Sequence, residues 1–154
     1  MARGFSGLVD ASVEQECCPC GTGQSYSSCC GRLHRGEAKA QTAEQLMRSR
    51  YSAFAKGQIE YLMATHPEPQ VPASVRRREL RASCRQTRWL GLEIIRVERG
   101  RDDEVEGTVC FVARYQALNQ RGSLQETSLF QRRDGNPTGE CRACLLYTSD
   151  AADE

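Results

Sequence analysis

A helical pattern of apolar residues begins shortly after Thr42. Thr42 and Gln45 have the three-residue spacing of a capping box, in which the threonine side chain accepts a hydrogen bond from an otherwise unpaired backbone N–H. Apolar side chains then recur at i, i+4 and i+7 from Met47 to Phe54, and Gly57 supplies a stop. The pattern predicts one amphipathic helix between Thr42 and Gly57.

Two more helical segments follow, with an irregular link between them. The segment "IEYLMATH" is typical of a short helix that runs to His66, and "SVRRRELRASCR" is typical of a helix with an arginine-covered face. Pro67, Pro69 and Pro72 lie between the two segments. They predict an irregular connection, because proline lacks a backbone donor and restricts the residue before it.

The second half of the chain has the pattern of strands. "WLGLEIIRV" is apolar on both faces, and "VCFVARY" alternates its apolar side chains from Val109 to Tyr115. "RGRDD" and "NQRG" predict turns before and after that strand, and "LQETSLFQR" alternates again through Leu124 and Phe130. Asp134–Gly135 is another turn signal, and we expect no strand after it. Helices followed by a strand meander predict an α+β fold, with an antiparallel sheet packed on helices.

The first 36 residues contain few core formers, and they cannot bury enough apolar surface to fold unaided. They contain instead "CCPCGTGQSYSSCC", which places five cysteines in fourteen residues from Cys17 to Cys30. Such a density of sulfur in a short segment predicts a cross-link, a thiol redox site or a metal knot.

The spacing of these cysteines favours the metal. Cys18-x-Cys20 and Cys29–Cys30 are two short-range pairs joined by an eight-residue loop, and each pair fixes one edge of a tetrahedron of ligands. Adjacent cysteines bridge each other only with strain, which disfavours a disulfide. Cys17 and Cys20 have the C-x-x-C spacing of a redox site, but no βαβ pattern surrounds them.

Two other residues compete for a role in this chemistry, and two further cysteines do not. Cys17 and His34 are spare ligands, and either is able to replace one of the four cysteines. Cys84 and Cys110 lie within a helix pattern and a strand pattern, so we expect them to be small core residues.

Composition restricts the class of protein. Hydrophobic residues make up 39% of the chain and charged residues 27%, as in a globular protein. No stretch approaches the roughly 20 apolar residues of a membrane span, and the N-terminus lacks the apolar run of a signal peptide. We therefore expect a cytoplasmic protein without a membrane partner, in a compartment where thiols stay reduced.

The net charge of +1 hides an uneven distribution of arginine. The range from Arg76 to Arg101 holds nine arginines and three glutamates, a local balance of +6. One interpretation is a contact surface for nucleic acid, centred on the basic helix from Arg76 to Arg88. The other interpretation is a solvated helix face, which the absence of aromatic residues between Arg76 and Arg88 favours.

The stretch "CPCGTGQSYSSCCGRLHRGEAKAQTAEQLMRSRYSAFAKGQIEYL" is similar to the opening of the YchJ-like family, small bacterial proteins that begin with a SEC-C type zinc motif. The resemblance extends through "TRWLGLEII", "VCFVARY" and "SLFQRRDG" and covers roughly residues 17 to 135. It implies that residues 1–36 form the zinc motif. It also implies that residues 37–143 form a cone-shaped, cystatin-like or nuclear-transport-factor-like domain, in which a curved antiparallel sheet packs on helices.

The family motif assigns Cys18, Cys20, Cys29 and Cys30 as the zinc ligands. The same motif ends the bacterial preprotein-translocase motor, where it binds zinc and contacts the export chaperone and ribosomes. The resemblance therefore implies a knot that mediates contact with a protein or ribonucleoprotein partner. The family brings no established reaction.

A cone fold often carries a pocket between its sheet and its helices, so a small-molecule or catalytic site is an alternative function. The polar residues expected to line it, with Trp89 as an apolar wall, are Arg48, Arg50, Tyr51, His66 and Arg114. His66 is the one candidate general base, but no carboxylate has a spacing that marks it as a partner. We therefore assign no catalytic residue.

The last residues, "CLLYTSDAADE", differ in composition from everything before them. Back-translation of residues 144–154 matches a sequencing-library adaptor over eleven consecutive codons, so we interpret this segment as a sequencing-adaptor artefact. Relatives usually continue after the Asp134–Gly135 turn with an aromatic strand. We therefore expect the last strand of the cone to be missing and the edge near Phe130 to be unpaired.

Overall fold

Helices precede strands in the computed structural model of the chain, which describes residues 16–132 and the backbone of residues 145–150. The predicted α+β class is confirmed. A single 3-10 turn, Tyr26–Ser28, comes before the first helix. The helices and strands of the described residues are α1 Cys30–His34, α2 Ala43–Lys56, α3 Ile59–Thr65, α4 Ala73–Gln86, β1 Thr87–Arg99, β2 Glu106–Ala117, β3 Gln120–Arg132 and β4 Leu145–Asp150.

Helix α2 begins and ends where its sequence predicts. The Thr42 hydroxyl accepts a hydrogen bond from the Gln45 N–H at 3.1 Å, and the Gln45 side chain accepts one from the Gln41 N–H at 2.7 Å. The first bond pairs a backbone donor that the first turn of the helix leaves open, and the second pairs the N–H of the residue before the cap. At the other end Gly57 adopts a left-handed conformation, with φ 70°, that stops the helix.

Strands β1 to β4 form one antiparallel sheet in chain order. Two register shifts interrupt the pairing of β1 with β2, one between Trp89 and Gly91 and one between Ile94 and Arg96. Such bulges bend a strand and increase its twist. Opposite Ile94 lies Phe111, and both pack with α2 into the core on one face of the sheet.

The main core lies between α2 and that face of the sheet. Leu46, Val109 and Phe130 are the largest of its fully buried side chains. Leu33 of α1 belongs to the same cluster, so the cysteine-rich segment packs directly on the helical and sheet core. The complete set of buried residues is Leu33, Ala40, Ala43, Leu46, Met47, Tyr51, Val109, Phe111, Ala113 and Phe130.

The β2–β3 hairpin turns two residues earlier than expected. Ala117 pairs with Gln120, and the two residues between them, Leu118 and Asn119, have φ values of 52° and 61°. Two central residues with positive φ define the type I′ turn that suits the twist of a hairpin. The predicted turn is therefore confirmed, but only Asn119 of "NQRG" lies in it, and the other three residues begin β3.

The expectation that no strand follows β3 is wrong. The backbone of Leu145–Asp150 pairs with β3 from Ser128 to Arg132, and Tyr147 lies opposite Phe130. A strand edge offers a row of unpaired donors and acceptors, and "LLYTS" is rich in residues that suit strands. The predicted turn at Asp134–Gly135 lies outside the described residues. The adaptor interpretation of residues 144–154 stays a prediction.

Within the described residues, no helix is long and apolar enough to cross a membrane.

We expect Gly100→Ala to destabilise the fold more than Gly57→Ala does. Both glycines have positive φ, which costs another residue about 1 kcal/mol. A methyl group on Gly57 would meet nothing within 4 Å, whereas one on Gly100 would lie 2.5 Å from the Ala43 methyl group. Urea unfolding should therefore give an additional loss of about 1 to 3 kcal/mol for Gly100→Ala. Equal losses for the two variants would contradict the close approach of the β1–β2 turn to α2.

Candidate metal centre

A small hairpin carries the first pair of cysteines. Cys17 forms an isolated bridge with Ser25, and the Cys18 N–H donates to the Gln24 carbonyl oxygen at 2.8 Å. The Gly21 N–H donates to the Cys18 carbonyl oxygen at 3.2 Å and closes the turn between the pair and the loop. The second pair lies directly after the 3-10 turn, where α1 begins at Cys30.

The structure brings together the sulfur atoms of Cys18, Cys20, Cys29 and Cys30, all within 4.8 Å of one another. The Sγ–Sγ distance is 3.6 Å between Cys20 and Cys29 and 4.0 Å between Cys29 and Cys30. A disulfide bond is about 2.05 Å long, so these are free thiols. Four sulfurs at about 2.3 Å from a tetrahedral ion lie roughly 3.8 Å apart, so the cluster has the dimensions of a metal site.

Two hydroxyl groups contact the sulfur cluster. The Ser52 Oγ of α2 lies 3.4 Å from the Cys18 Sγ, and the Thr22 Oγ1 lies 3.3 Å from the Cys29 Sγ and 3.6 Å from the Cys20 Sγ. Sequence reasoning missed both residues. Thr22 could have been found from its place inside the cysteine loop, but Ser52 is distant in sequence and only the fold brings it close.

Burial and mutual hydrogen bonding set the protonation of the cluster. Hydrogen bonds from Cys20 and Cys30 lower the pKa of the Cys18 thiol below its ordinary value. The bonds to Cys18 and Cys20, together with burial, raise the pKa of Cys30, and burial raises that of Cys29. The cluster therefore favours one thiolate, at Cys18, and opposes loss of a proton from Cys29 and Cys30. A divalent cation among the sulfurs would reverse this balance, because its charge would stabilise every thiolate.

Arg48 attaches the cysteine hairpin to α2. Its Nη1 donates to the Cys20 carbonyl oxygen at 2.6 Å, and its Nε pairs with Glu44 at 3.0 Å. The guanidinium therefore bridges the first helix turn and the backbone of a cluster cysteine. Arg48 was expected to line the pocket between the sheet and the helices, and it lies at the cysteine hairpin instead.

His34 connects the cysteine-rich segment to two helices. Its Nδ1 lies 2.7 Å from the Tyr26 hydroxyl, and its Nε2 lies 2.8 Å from the Ser49 carbonyl oxygen. Because a carbonyl only accepts, Nε2 donates and Nδ1 accepts from Tyr26. The Ser49 hydroxyl in turn lies 2.6 Å from the Tyr61 hydroxyl of α3. Both ring nitrogens of His34 are thus engaged away from the sulfurs, and Cys17 is exposed outside the four-thiol group.

A separate cavity of about 300 Å³ lies between α2, α4 and the sheet. Of the residues expected to line a pocket, Arg50, Tyr51 and Trp89 do so. Arg50 is buried and donates through Nη1 to the Leu62 carbonyl oxygen at 3.0 Å and the Thr65 hydroxyl at 2.6 Å. The wall is mainly apolar and aromatic, as in a small-molecule site.

His66 and Arg114 lie outside this cavity. The His66 Nε2 pairs with Glu68 at 3.0 Å, a carboxylate that sequence spacing alone did not identify as a partner. Arg114 is exposed and lies 4.0 Å from Glu93 across the β1–β2 pair. The expected pocket residues therefore do not converge on one site.

The fold and the four-thiol cluster together define a class of small protein in which a cysteine-rich segment packs on an α+β domain. The family model described as "YchJ, middle NTF2-like domain" matches residues 42–137. A UPF0225 protein of Streptomyces coelicolor is 48% identical over 119 residues, which cover 77% of this chain and 87% of that protein. One of Ralstonia nicotianae is 45% identical over 90% of this chain and 93% of its own length. The chain belongs to this YchJ-like, UPF0225 family.

Solved structures agree with the fold and with the cysteine-rich segment. The solution structure of a SEC-C motif containing protein from Rhodopseudomonas palustris superimposes with a TM-score of 0.70 at 27% identity, covering 89% of this chain and 98% of that one. The crystal structure of a SEC-C motif containing protein from Psychrobacter arcticus gives 0.70 at 24% identity, with 92% and 85% covered, and supports the fold alone. The predicted nuclear-transport-factor-like domain is confirmed.

The position of His34 predicts a pH dependence of stability. Burial holds its folded-state pKa below the unfolded value of about 6.5. The stabilisation is therefore fully present above pH about 6.5 and is lost as the pH falls through the folded-state value. The free energy of unfolding should fall more steeply towards acid in the parent than in His34→Gln, while protonation of cysteines affects both. Parallel pH profiles would contradict a buried, neutral His34.

Proposed function

We propose that Cys18, Cys20, Cys29 and Cys30 hold one structural zinc ion. The observation that carries the proposal is the convergence of four free thiols at tetrahedral dimensions, three of them buried. Four thiolates suit zinc among the common metal ions, and a site closed by four protein ligands leaves no position for a reacting water. The metal would supply folding free energy, about 10 to 16 kcal/mol in zinc-finger peptides at neutral pH.

Substitution of single cysteines tests the ligand set. Cys18→Ser, Cys20→Ser, Cys29→Ser and Cys30→Ser should each weaken zinc binding by orders of magnitude, because each removes a charged sulfur donor. Cys17→Ser and Cys84→Ser should keep a stoichiometry of one zinc per chain, measured by mass spectrometry of the metal in reduced, purified protein. The proposal fails if the parent binds no zinc, or if Cys17→Ser loses the metal while Cys30→Ser retains it.

We use the name zinc knot for residues 17–36, the hairpin, 3-10 turn and helix α1 that carry the four cysteines. We further infer that the zinc knot serves as an interaction module for a protein or ribonucleoprotein partner. An open cleft of about 450 Å³ lies between the knot and α2, beside the half-buried Cys29. Its polar wall includes Thr22, Gln24 and Gln45, which can donate and accept hydrogen bonds. Arg32 is exposed at this cleft and makes no ion pair within residues 16–132, so it is available to an acidic or polar partner segment.

Affinity capture with matched variants tests this interaction. Arg32→Glu should lose partner proteins that the zinc-loaded parent retains, because it reverses the one unpaired charge of the cleft. Arg96→Glu makes the same change in charge on an exposed part of β1 and should retain them. Both variants should bind one zinc. If parent, Arg32→Glu and metal-free protein capture the same proteins, the knot is not the interaction surface.

A second candidate function is small-molecule binding in the 300 Å³ cavity, which the aromatic wall formed by Tyr51, Phe54 and Trp89 favours. Trp89 is the one tryptophan of the chain, so its fluorescence reports on the cavity. A compound that fills the cavity should shift Trp89 emission and raise the unfolding temperature in the parent, and Ala113→Phe should abolish both effects by filling the space.

A further inference from the structure

Helix α4 presents an arginine surface that plays no part in the core. None of its residues from Ala73 to Gln86 is buried. At 100° per residue, Arg78, Arg81 and Arg85 fall within an arc of about 60° on one side of the helix. All three are exposed, and they extend over about 10 Å of the helix axis.

The arginine surface continues onto the sheet. Arg88 in β1 lies opposite Gln116 in β2, and Gln116 lies opposite Arg121 in β3. Adjacent strands are about 4.8 Å apart, so Arg121 lies about 10 Å from Arg88 in the same row across the sheet. Arg88 and Arg121 are both exposed. We call the set of Arg78, Arg81, Arg85, Arg88 and Arg121 the arginine band.

The arginine band is not neutralised within the fold. Neighbouring Arg77 pairs with Glu60 at 2.6 Å, and Arg81 lies near enough to this carboxylate to help lower its pKa. Within residues 16–132 no ion pair is made by the other four members of the band, which are Arg78, Arg85, Arg88 and Arg121. Glu79, the acidic residue of α4, points about 100° away from Arg78 around the helix.

An open cleft of about 620 Å³ lies along the middle of the band. Arg85, Arg88 and Lys56 are its three cationic residues and Glu16 its one carboxylate, so its net charge is +2. Glu16 is already paired with Lys56 at 2.7 Å, which leaves the charge on the two arginines. Trp89 contributes to the same wall. The band thus joins two unpaired arginines to Trp89, the aromatic residue that directly follows Arg88 in the sequence.

We propose that the arginine band binds single-stranded nucleic acid, with phosphates along the band and a base in the cleft beside Trp89. Guanidinium groups match phosphate oxygens in a planar, two-bond geometry, and the band is built of arginine alone. A single strand carries one phosphate per nucleotide, so a band that extends over about 10 Å of the helix axis and onto the sheet meets more than one phosphate at once. A base stacked in a duplex is not free to enter the cleft, which favours a single strand. The proposal does not depend on the zinc site.

Binding of an oligouridylate of about 16 nucleotides, measured by fluorescence anisotropy in zinc-loaded protein, tests the proposal. Arg85→Gln with Arg88→Gln should raise the Kd by about tenfold or more at moderate salt. Each phosphate contact contributes about 0.7 to the slope of log K against log salt for a single strand. The double variant should therefore reduce that slope by about 1.4. Binding should also quench the fluorescence of Trp89 in the parent.

The matched control is Arg96→Gln with Arg101→Gln, which removes the same charge near the far end of β1 and in the turn after it, and which should keep the parent Kd. Similar affinities for oligouridylate and oligothymidylate would support a contact to the backbone, and tighter binding of the former would identify RNA. The proposal is overturned if neither oligonucleotide binds at about 50 mM salt. It is equally overturned if both double variants lose affinity alike, or if polyglutamate binds as tightly and quenches Trp89 as strongly.

Discussion

The folded structure of residues 17–36 depends on the contact among four cysteine sulfur atoms. These residues form one small hairpin, one 3-10 turn and the five-residue helix α1, and Leu33 is their one side chain in the main core. So little apolar burial does not offset the conformational entropy of ordering some twenty residues. The proposed metal ion would supply the missing free energy, because it would bind all four sulfurs only when both cysteine pairs are in place.

The same contact reaches into the larger domain through polar groups of α2. Arg48, Ser49 and Ser52 each face the knot, and they bind the Cys20 carbonyl, His34 and the Cys18 sulfur respectively. If the knot opened, the Ser52 hydroxyl and the Ser49 carbonyl would lose these partners, whereas the Ser49 hydroxyl would keep its bonds to the Leu46 carbonyl and the Tyr61 hydroxyl. The knot and the domain are therefore coupled in stability, although each has its own sequence pattern.

Sequence predicted the features that short-range spacing determines. The Thr42 cap, the Gly57 stop, the strand alternation and the cysteine pairs all rest on residues that are close along the chain. It missed contacts made between distant residues: Ser52 beside Cys18, His34 on Ser49, and Arg48 on the Cys20 carbonyl. The fourth strand was missed because edge pairing depends on an available partner edge as much as on local pattern.

Amide hydrogen exchange before and after zinc chelation tests the coupling of the metal to the fold most directly. The account predicts that removal of the metal abolishes protection in residues 17–36 and lowers it in α2 around Ser49 and Ser52. Strands β2 and β3, which are paired over their whole length, should retain most of their protection. Unchanged protection in residues 17–36 after complete removal of the metal would contradict the account, because the four thiols would then not be what orders that segment.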